Sequence, residues 1–207
     1  MKKGIVYRST GSWYTVQSEG VFYECRIKGK LRLKGIKSTN PVAVGDWVYF
    51  EVDSHANANE GNITKIEERQ NYIVRKSVNL SKQTHIIASN IDQVFLIVTL
   101  NNPPTFPAFI DRFLVTAEAY QIPAIILFNK IDTYSKLELE EITLLQKTYE
   151  NIGYSTYLIS AIQDEGIEKV KELMQDKVSM FSGHSGVGKS TLVNAISPSL
   201  DLKTAAI

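Results

Sequence analysis

The sequence predicts two folds in one chain: a small all-β barrel, then an α/β domain built on a parallel sheet. Three observations predict this. The first 70 residues carry short runs rich in β-branched and aromatic residues, punctuated by Gly11, Gly20, Gly29, Gly35, Gly45 and Gly61. From about residue 90, buried-strand runs alternate with segments of helical spacing. A glycine-rich octapeptide then stands between the last strand and the last helix.

Bulk properties fit that division. With 207 residues the chain has room for one large domain or two modest ones, and either size buries a real core. Hydrophobic residues make up 43% and charged residues 22%, which excludes extended disorder and low-complexity architecture. The longest apolar runs, such as 94–100, are too short to span a bilayer, and residues 1–8 hold no apolar stretch of signal-peptide length. Cys25 is the single cysteine, so neither an intramolecular disulfide nor a Cys-x-x-Cys zinc knuckle is available. The chain reads as soluble, cytoplasmic and free of membrane segments.

The barrel is expected over residues 1–72, from strands at 5–8, 13–17, 21–27, 44–52 and 63–67. An OB-like barrel is the commonest five-stranded arrangement. The formal net charge of +1 hides a split: residues 1–72 carry 11 basic and 8 acidic groups, residues 73–207 carry 12 and 14. Arg26, Lys28, Lys30, Arg32, Lys34 and Lys37 follow one another with no acid between them, the first five at alternating positions. In an extended strand the cations share one face, with Ile27, Leu31 and Leu33 on the other. That face suits a phosphate backbone; the alternative is an ordinary solvated strand. Residues 73–90 are polar, include Arg75 and Lys76, and read as a linker.

The α/β domain is expected over 91–207. Its strands fall at 92–100, 123–128, 156–159 and 178–181, and its helices at 109–120, 137–151, 167–174 and 188–196. Strands alternating with helices require a parallel sheet with helical crossovers.

Three short motifs in this domain carry chemistry. Gly183, His184, Ser185, Gly186, Val187, Gly188, Lys189 and Ser190 match the phosphate-loop pattern Gly-x-x-x-x-Gly-Lys-Ser/Thr, with a strand before and a helix from Thr191 after. Its glycines let backbone N–H groups curl around phosphate oxygens, and the helix N-terminus adds partial positive charge. Lys189 is placed to reach the β- and γ-phosphates, and the Ser190 hydroxyl to bind Mg²⁺. His184 reads as a solvent-exposed loop residue rather than a catalyst. The second motif, Asn129-Lys130-Ile131-Asp132, ends a buried strand, where ligands bind in open α/β sheets. An Asp132 carboxylate there can accept from guanine N1–H and the 2-amino group, a donor pair that adenine lacks. The stem of Lys130 can lie over the base, and Asn129 can brace the loop. The third, Ser160-Ala161, follows the next strand, where the Ala161 N–H can approach guanine O6.

These motifs resemble the fourth, fifth and first signature motifs of GTPases (G4, G5 and G1), in that permuted order. With an N-terminal barrel, the order resembles the RsgA (YjeQ) family of circularly permuted GTPases of small ribosomal subunit biogenesis. Further phrases are similar to that family: Val44-Gly45-Asp46-Trp47-Val48, Ala88-Ser89-Asn90-Ile91-Asp92-Gln93, and Ile110-Asp111-Arg112-Phe113-Leu114-Val115. Asp111 and Arg112 on their own read as helix-surface charge. The resemblance implies a P-loop GTPase domain that binds GTP and GDP with Mg²⁺ and hydrolyses GTP. It also implies stimulation by the 30S subunit, a role in late maturation of that subunit, and rRNA contact by the basic barrel strand. A monomer is expected. The family continues with a switch I threonine, an Asp-Thr-Pro-Gly (G3) motif and a Cys/His zinc domain. Only 17 residues follow Ser190 here and no Asp-x-x-Gly occurs, so the domain reads as incomplete, zinc belongs outside these residues, and turnover by this chain is expected to be slow. No side chain stands out as a general base, and the resemblance implies an apolar residue in place of the usual catalytic glutamine. Lys189 is the one residue assigned to catalysis. The alternative is an RNA-binding module that uses guanine nucleotide only as a conformational switch.

Overall fold

A computed structural model describes residues 1–27, 41–53, 59–76 and 84–204. They fall into two units, Met1–Ile91 and Asp92–Ile207.

In the first unit, β1 (Lys2–Thr10), β2 (Trp13–Ser18), β3 (Val21–Ile27), β4 (Trp47–Val52) and β5 (Glu60–Ile66) close a barrel in the order β1-β2-β3-β5-β4. Gly11 and Gly20, both at positive φ, turn the first two hairpins. Period-two alternation sends Tyr14, Val16, Tyr23, Cys25, Val48, Phe50 and Ile63 into one buried core. The barrel closes through a parallel β3–β5 pair. This is the OB-like architecture expected from the strand count.

The stretch 73–90 departs from the linker reading. It holds most of β6 (Tyr72–Lys76) and β7 (Thr84–Ser89), which pair as an antiparallel two-stranded sheet. The physical reason is a set of long-range bonds. The Ser89 N–H donates to the Val44 carbonyl at 2.9 Å, and the Asn90 side chain donates to the Gly45 carbonyl at 2.9 Å. Gly45, at φ +89°, comes so close that a Cβ there would stand 2.1 Å from the Ser89 oxygen. Beside it Asp46 is fully buried. Its carboxylate accepts twice from the Arg69 guanidinium at 2.6 Å, from the Ser89 hydroxyl at 2.6 Å and from the Ala43 N–H at 2.8 Å. Of the polar residues in that stretch, Ser89 and Asn90 are therefore partners of the barrel.

In the second unit the order is β8 (Gln93–Val98), α1 (Pro107–Ala119), β9 (Ala124–Phe128), α2 (Lys136–Asn151), β10 (Ser155–Leu158), α3 (Ile167–Met174), β11 (Ser179–Ser182) and α4 (Lys189–Ile196). The strands are all parallel, in the order β10-β9-β8-β11. β8 is buried on both faces, which is why it reads as an unbroken apolar run. Phe95 and Ile97 pack with Ile167 and Val170 of α3 and Leu192 of α4. Leu96 and Val98 pack on the other face with Ile110 and Leu114 of α1 and Ile142 and Tyr149 of α2. Two helices thus cover each face of the sheet, and the three motif loops all leave its C-terminal edge. Among the described residues, no helix is long and apolar enough to cross a membrane.

Candidate functional site

β9 runs into Asn129, β10 leads to Ser160 and β11 to Gly183. β8 lies between β9 and β11, so the strand order reverses there and a crevice opens beyond the strand ends.

Asn129 joins all three loops. It is buried, its Nδ2 donates to the Val187 carbonyl at 2.8 Å, and its Oδ1 accepts from the Ala161 N–H at 3.1 Å. One Nδ2 proton remains, and Asn129 lines a small pocket with Lys130, Asp132, Ala161, Ile162, Gly188 and Thr191. The bracing role expected of Asn129 therefore extends from one loop to three. The Ala161 amide faces Asn129 Oδ1, so contact with a guanine O6 requires that N–H to be shared.

The Asp132 carboxylate is exposed and accepts from the Ser160 hydroxyl at 2.5 Å, which orients it. A carboxylate so held keeps acceptor capacity for two further donors. Lys130 sits at φ +69°, and its ammonium donates to the Asn102 carbonyl at 2.6 Å, pinning its stem between two loops. Sequence reasoning missed Tyr134. Its hydroxyl donates to the Asn129 carbonyl at 3.1 Å and accepts from the Leu100 N–H at 3.0 Å. Burial pushes that phenol above the ordinary tyrosine value. No local pattern marks Tyr134, because its partner Leu100 lies 34 residues away.

Residues 183–190 are shaped by close approaches. Gly183, at φ +145°, lies against the Ile97 carbonyl, where a Cβ would stand 2.4 Å from the oxygen. A Cβ on Gly188, at φ +96°, would stand 2.3 Å from Asn129 Nδ2. Val187 is buried in the core and anchors the loop from below, while Ser185 is exposed and Gly186 takes positive φ. The Lys189 ammonium donates to the Gly183 carbonyl at 2.9 Å and to the His184 carbonyl. Its third proton is available to an anion, and burial lowers its pKa, so a nearby negative charge would favour the ammonium form. Ser190 and Thr191 lie in the first turn of α4, and the Ser190 hydroxyl is a hard oxygen donor of the kind Mg²⁺ accepts. His184 is exposed, as expected, and its ring lies 3.9 Å from the Phe109 ring centroid. Asp111 accepts from the Tyr149 hydroxyl at 2.9 Å, joining α1 to α2.

The basic strand is only partly visible. Arg26 is exposed at the end of β3, its guanidinium 3.8 Å from the Trp13 ring centroid. Lys28, Lys30, Arg32, Lys34 and Lys37 lie outside the described residues.

Comparison with known proteins places these features in context. The family model described as RsgA GTPase matches residues 66–207, and that described as RsgA N-terminal domain matches residues 3–63. The chain is 66% identical over 205 residues to a protein of Flavobacterium johnsoniae named small ribosomal subunit biogenesis GTPase RsgA. That match covers 99% of this chain and 63% of the relative, so the chain spans under two thirds of the relative's length. The crystal structure of YjeQ from Thermotoga maritima is similar with a TM-score of 0.79 at 34% identity, covering 99% of this chain and 68% of that one. The structure of YloQ, a circularly permuted GTPase, is similar with a TM-score of 0.70 at 33% identity, covering 96% and 65%.

Proposed function

This chain belongs to the RsgA GTPase family, and from that premise we propose that it binds GTP and GDP across the loops at 129–132, 160–161 and 183–190 and takes part in GTP hydrolysis. The observation that carries this reading is the Asn129 side chain, which holds the three loops in one register.

In the proposed complex Asp132, oriented by Ser160, accepts from guanine N1–H and the 2-amino group. The Lys130 stem covers the base, and Ala161 shares its N–H between Asn129 and O6. The amides of 183–188 and the α4 N-terminus cradle the phosphates, with Lys189 on the β- and γ-phosphates. The Ser190 hydroxyl would hold Mg²⁺, whose charge would supply neutralisation of the phosphate oxygens when bound. Lys189 and the loop amides stabilise the transition state by position and charge. Arg26 and the basic residues to Lys37 touch rRNA phosphates, and the protein acts as a cytoplasmic monomer on the 30S subunit late in its maturation. Hydrolysis is stimulated by that subunit. Any zinc site belongs to the part of the family beyond these residues.

Calorimetric titration with GDP and Mg²⁺ tests the reading. Heat that GTP competes away and ATP does not is the expected result; no heat from folded protein, or equal displacement by ATP, overturns it. Asp132→Asn should weaken GDP by about 100-fold, from two lost charge-assisted hydrogen bonds, and admit xanthosine diphosphate. Phosphate release with and without 30S subunits separates a stimulated hydrolase from a binding-only switch.

A further inference from the structure

One opening on the α1–α2 side of the sheet lies outside the three loops. It is a groove of about 530 Å³ between α2 and the segment joining β8 to α1. Leu100 and Leu145 line it, and Phe106 and Leu144, 68% and 69% exposed, stand at its sides. Glu138 and Glu141 also line it.

Two features show that the walls are built rather than loose. The Thr105 N–H donates to the Thr99 carbonyl at 2.9 Å, and the Thr99 hydroxyl to the Pro103 carbonyl at 2.6 Å. On the other wall, Ser135 and Glu138 form a reciprocal capping box at the start of α2, and Asn101 donates to Glu138 across the groove. The groove needs no ordering before it can be filled.

Charge selects the occupant. Residues 136–141 read Lys-Leu-Glu-Leu-Glu-Glu, so this end of α2 is net negative. An acidic rim repels a nucleic-acid backbone and attracts cationic side chains, while the exposed Phe106 and Leu144 call for apolar partners. The segment also touches the guanine loop: Leu100 bonds Tyr134, Tyr134 bonds Asn129, and Asn102 accepts from Lys130. We propose that this groove docks a basic polypeptide segment carrying one or two large apolar side chains, and that Tyr134 makes its occupancy felt at the loop 129–132. The docking stands on the groove alone; the coupling rests on the guanine reading above.

The test uses the whole chain and a fluorescein-labelled peptide of about 14 residues, with Leu at helical spacing and Lys elsewhere. The same peptide with Glu for Lys, and an oligouridine, serve as controls. The basic peptide should bind, and the acidic one should not. Leu144→Asn and Phe106→Asn should each weaken binding about tenfold, from lost apolar burial at exposed positions that leave the fold intact. Glu141→Lys should weaken it further as salt is lowered. No binding, equal binding by all variants, or competition by oligouridine overturns the docking. GDP and peptide should alter each other's affinity by one common factor, and Tyr134→Phe should bring that factor to one while sparing peptide binding. A factor of one in the unmodified chain overturns the coupling. If GDP fails to bind at all, the guanine reading falls, and the peptide titration, run without nucleotide, still decides the docking.

Discussion

Asp46 in the first unit and Asn129 in the second each tie three stretches of chain from a buried position, and the two are opposite in kind. In the barrel unit Asp46 is charged and saturated. Four donors, two from Arg69 and one each from Ser89 and Ala43, occupy both its oxygens. In the α/β unit Asn129 is neutral and unsaturated, with one Nδ2 proton left beside a pocket. A saturated buried carboxylate has nothing to offer a ligand, whereas a partly used amide does. The difference teaches that burial and long-range bonding alone do not mark a site; the unused hydrogen-bonding capacity at its edge does.

The sharpest way to break the comparison is Asp46→Ala. It leaves the Arg69 guanidinium, 6% exposed, as an uncompensated buried charge whose Nη1 already has no partner among the described residues. The expected loss is about 3–5 kcal/mol of barrel stability. Both tryptophans, Trp13 and Trp47, lie in this unit, so their fluorescence reports its unfolding alone. Asp46→Ala with Arg69→Met should recover part of the loss, since the orphaned charge is then gone. GDP binding should survive in both variants. A fluorescence midpoint unchanged by Asp46→Ala would show that the latch is ornamental.

The same contrast explains what was legible in the sequence. The β8 run, the crossover helices and the 183–190 octapeptide are local patterns, and each sits where its pattern puts it. α3 falls on the expected residues 167–174 because Ile167 and Val170 repeat at helical spacing above the core. The Asp46–Ser89 contact spans 43 residues, and nothing near Ser89 announces it. That is why 73–90 reads as a linker: the bonds that order it come from residues 44–46, more than 40 positions earlier. The Ala161 amide is only half legible for a related reason. Its position after a strand is legible, but the capture of its proton by Asn129, 32 residues earlier, is not.

Asn129→Ala comes next in size. It orphans the Ala161 N–H and the Val187 carbonyl together, at about 1–3 kcal/mol for buried groups left unsatisfied. Unlike Asp46→Ala, it should weaken GDP, because all three loops lose their common bracket. Thermal unfolding and GDP titration on one preparation give both numbers. A stability loss with unchanged GDP affinity would make Asn129 a latch like Asp46 and erase the distinction.

Cys25 supplies a buried titratable group with no charged partner to offset it. Burial, and to a lesser degree the Glu24 charge, push its thiol up to about 12 from an ordinary 9.0. The folded barrel therefore disfavours the thiolate. Its contribution to stability is complete below about pH 9 and is lost as pH rises from there toward 12, by at most about 1.4 kcal/mol per pH unit. The tryptophan-monitored midpoint should fall over that window in the native chain, and fall less in Cys25→Ala. Parallel curves would mean that the thiol is not shielded.

The smallest effect belongs to the exposed counterpart of these brackets. Ser135 accepts from the Glu138 N–H at 3.4 Å, and Glu138 accepts from the Ser135 N–H at 2.7 Å, a reciprocal pair at the start of α2. Hydrogen bonding from Ser135 holds the Glu138 carboxyl below the ordinary glutamate value. Water competes for every one of these groups, so Ser135→Ala should cost only about 1 kcal/mol, read as a small shift in the helical signal on heating. The pairing geometry is as complete as at Asn129, and only the burial differs. If Ser135→Ala costs as much as Asn129→Ala, removal from water is not what gives the Asn129 bracket its strength, and the contrast between saturated and unsaturated buried groups loses its physical basis.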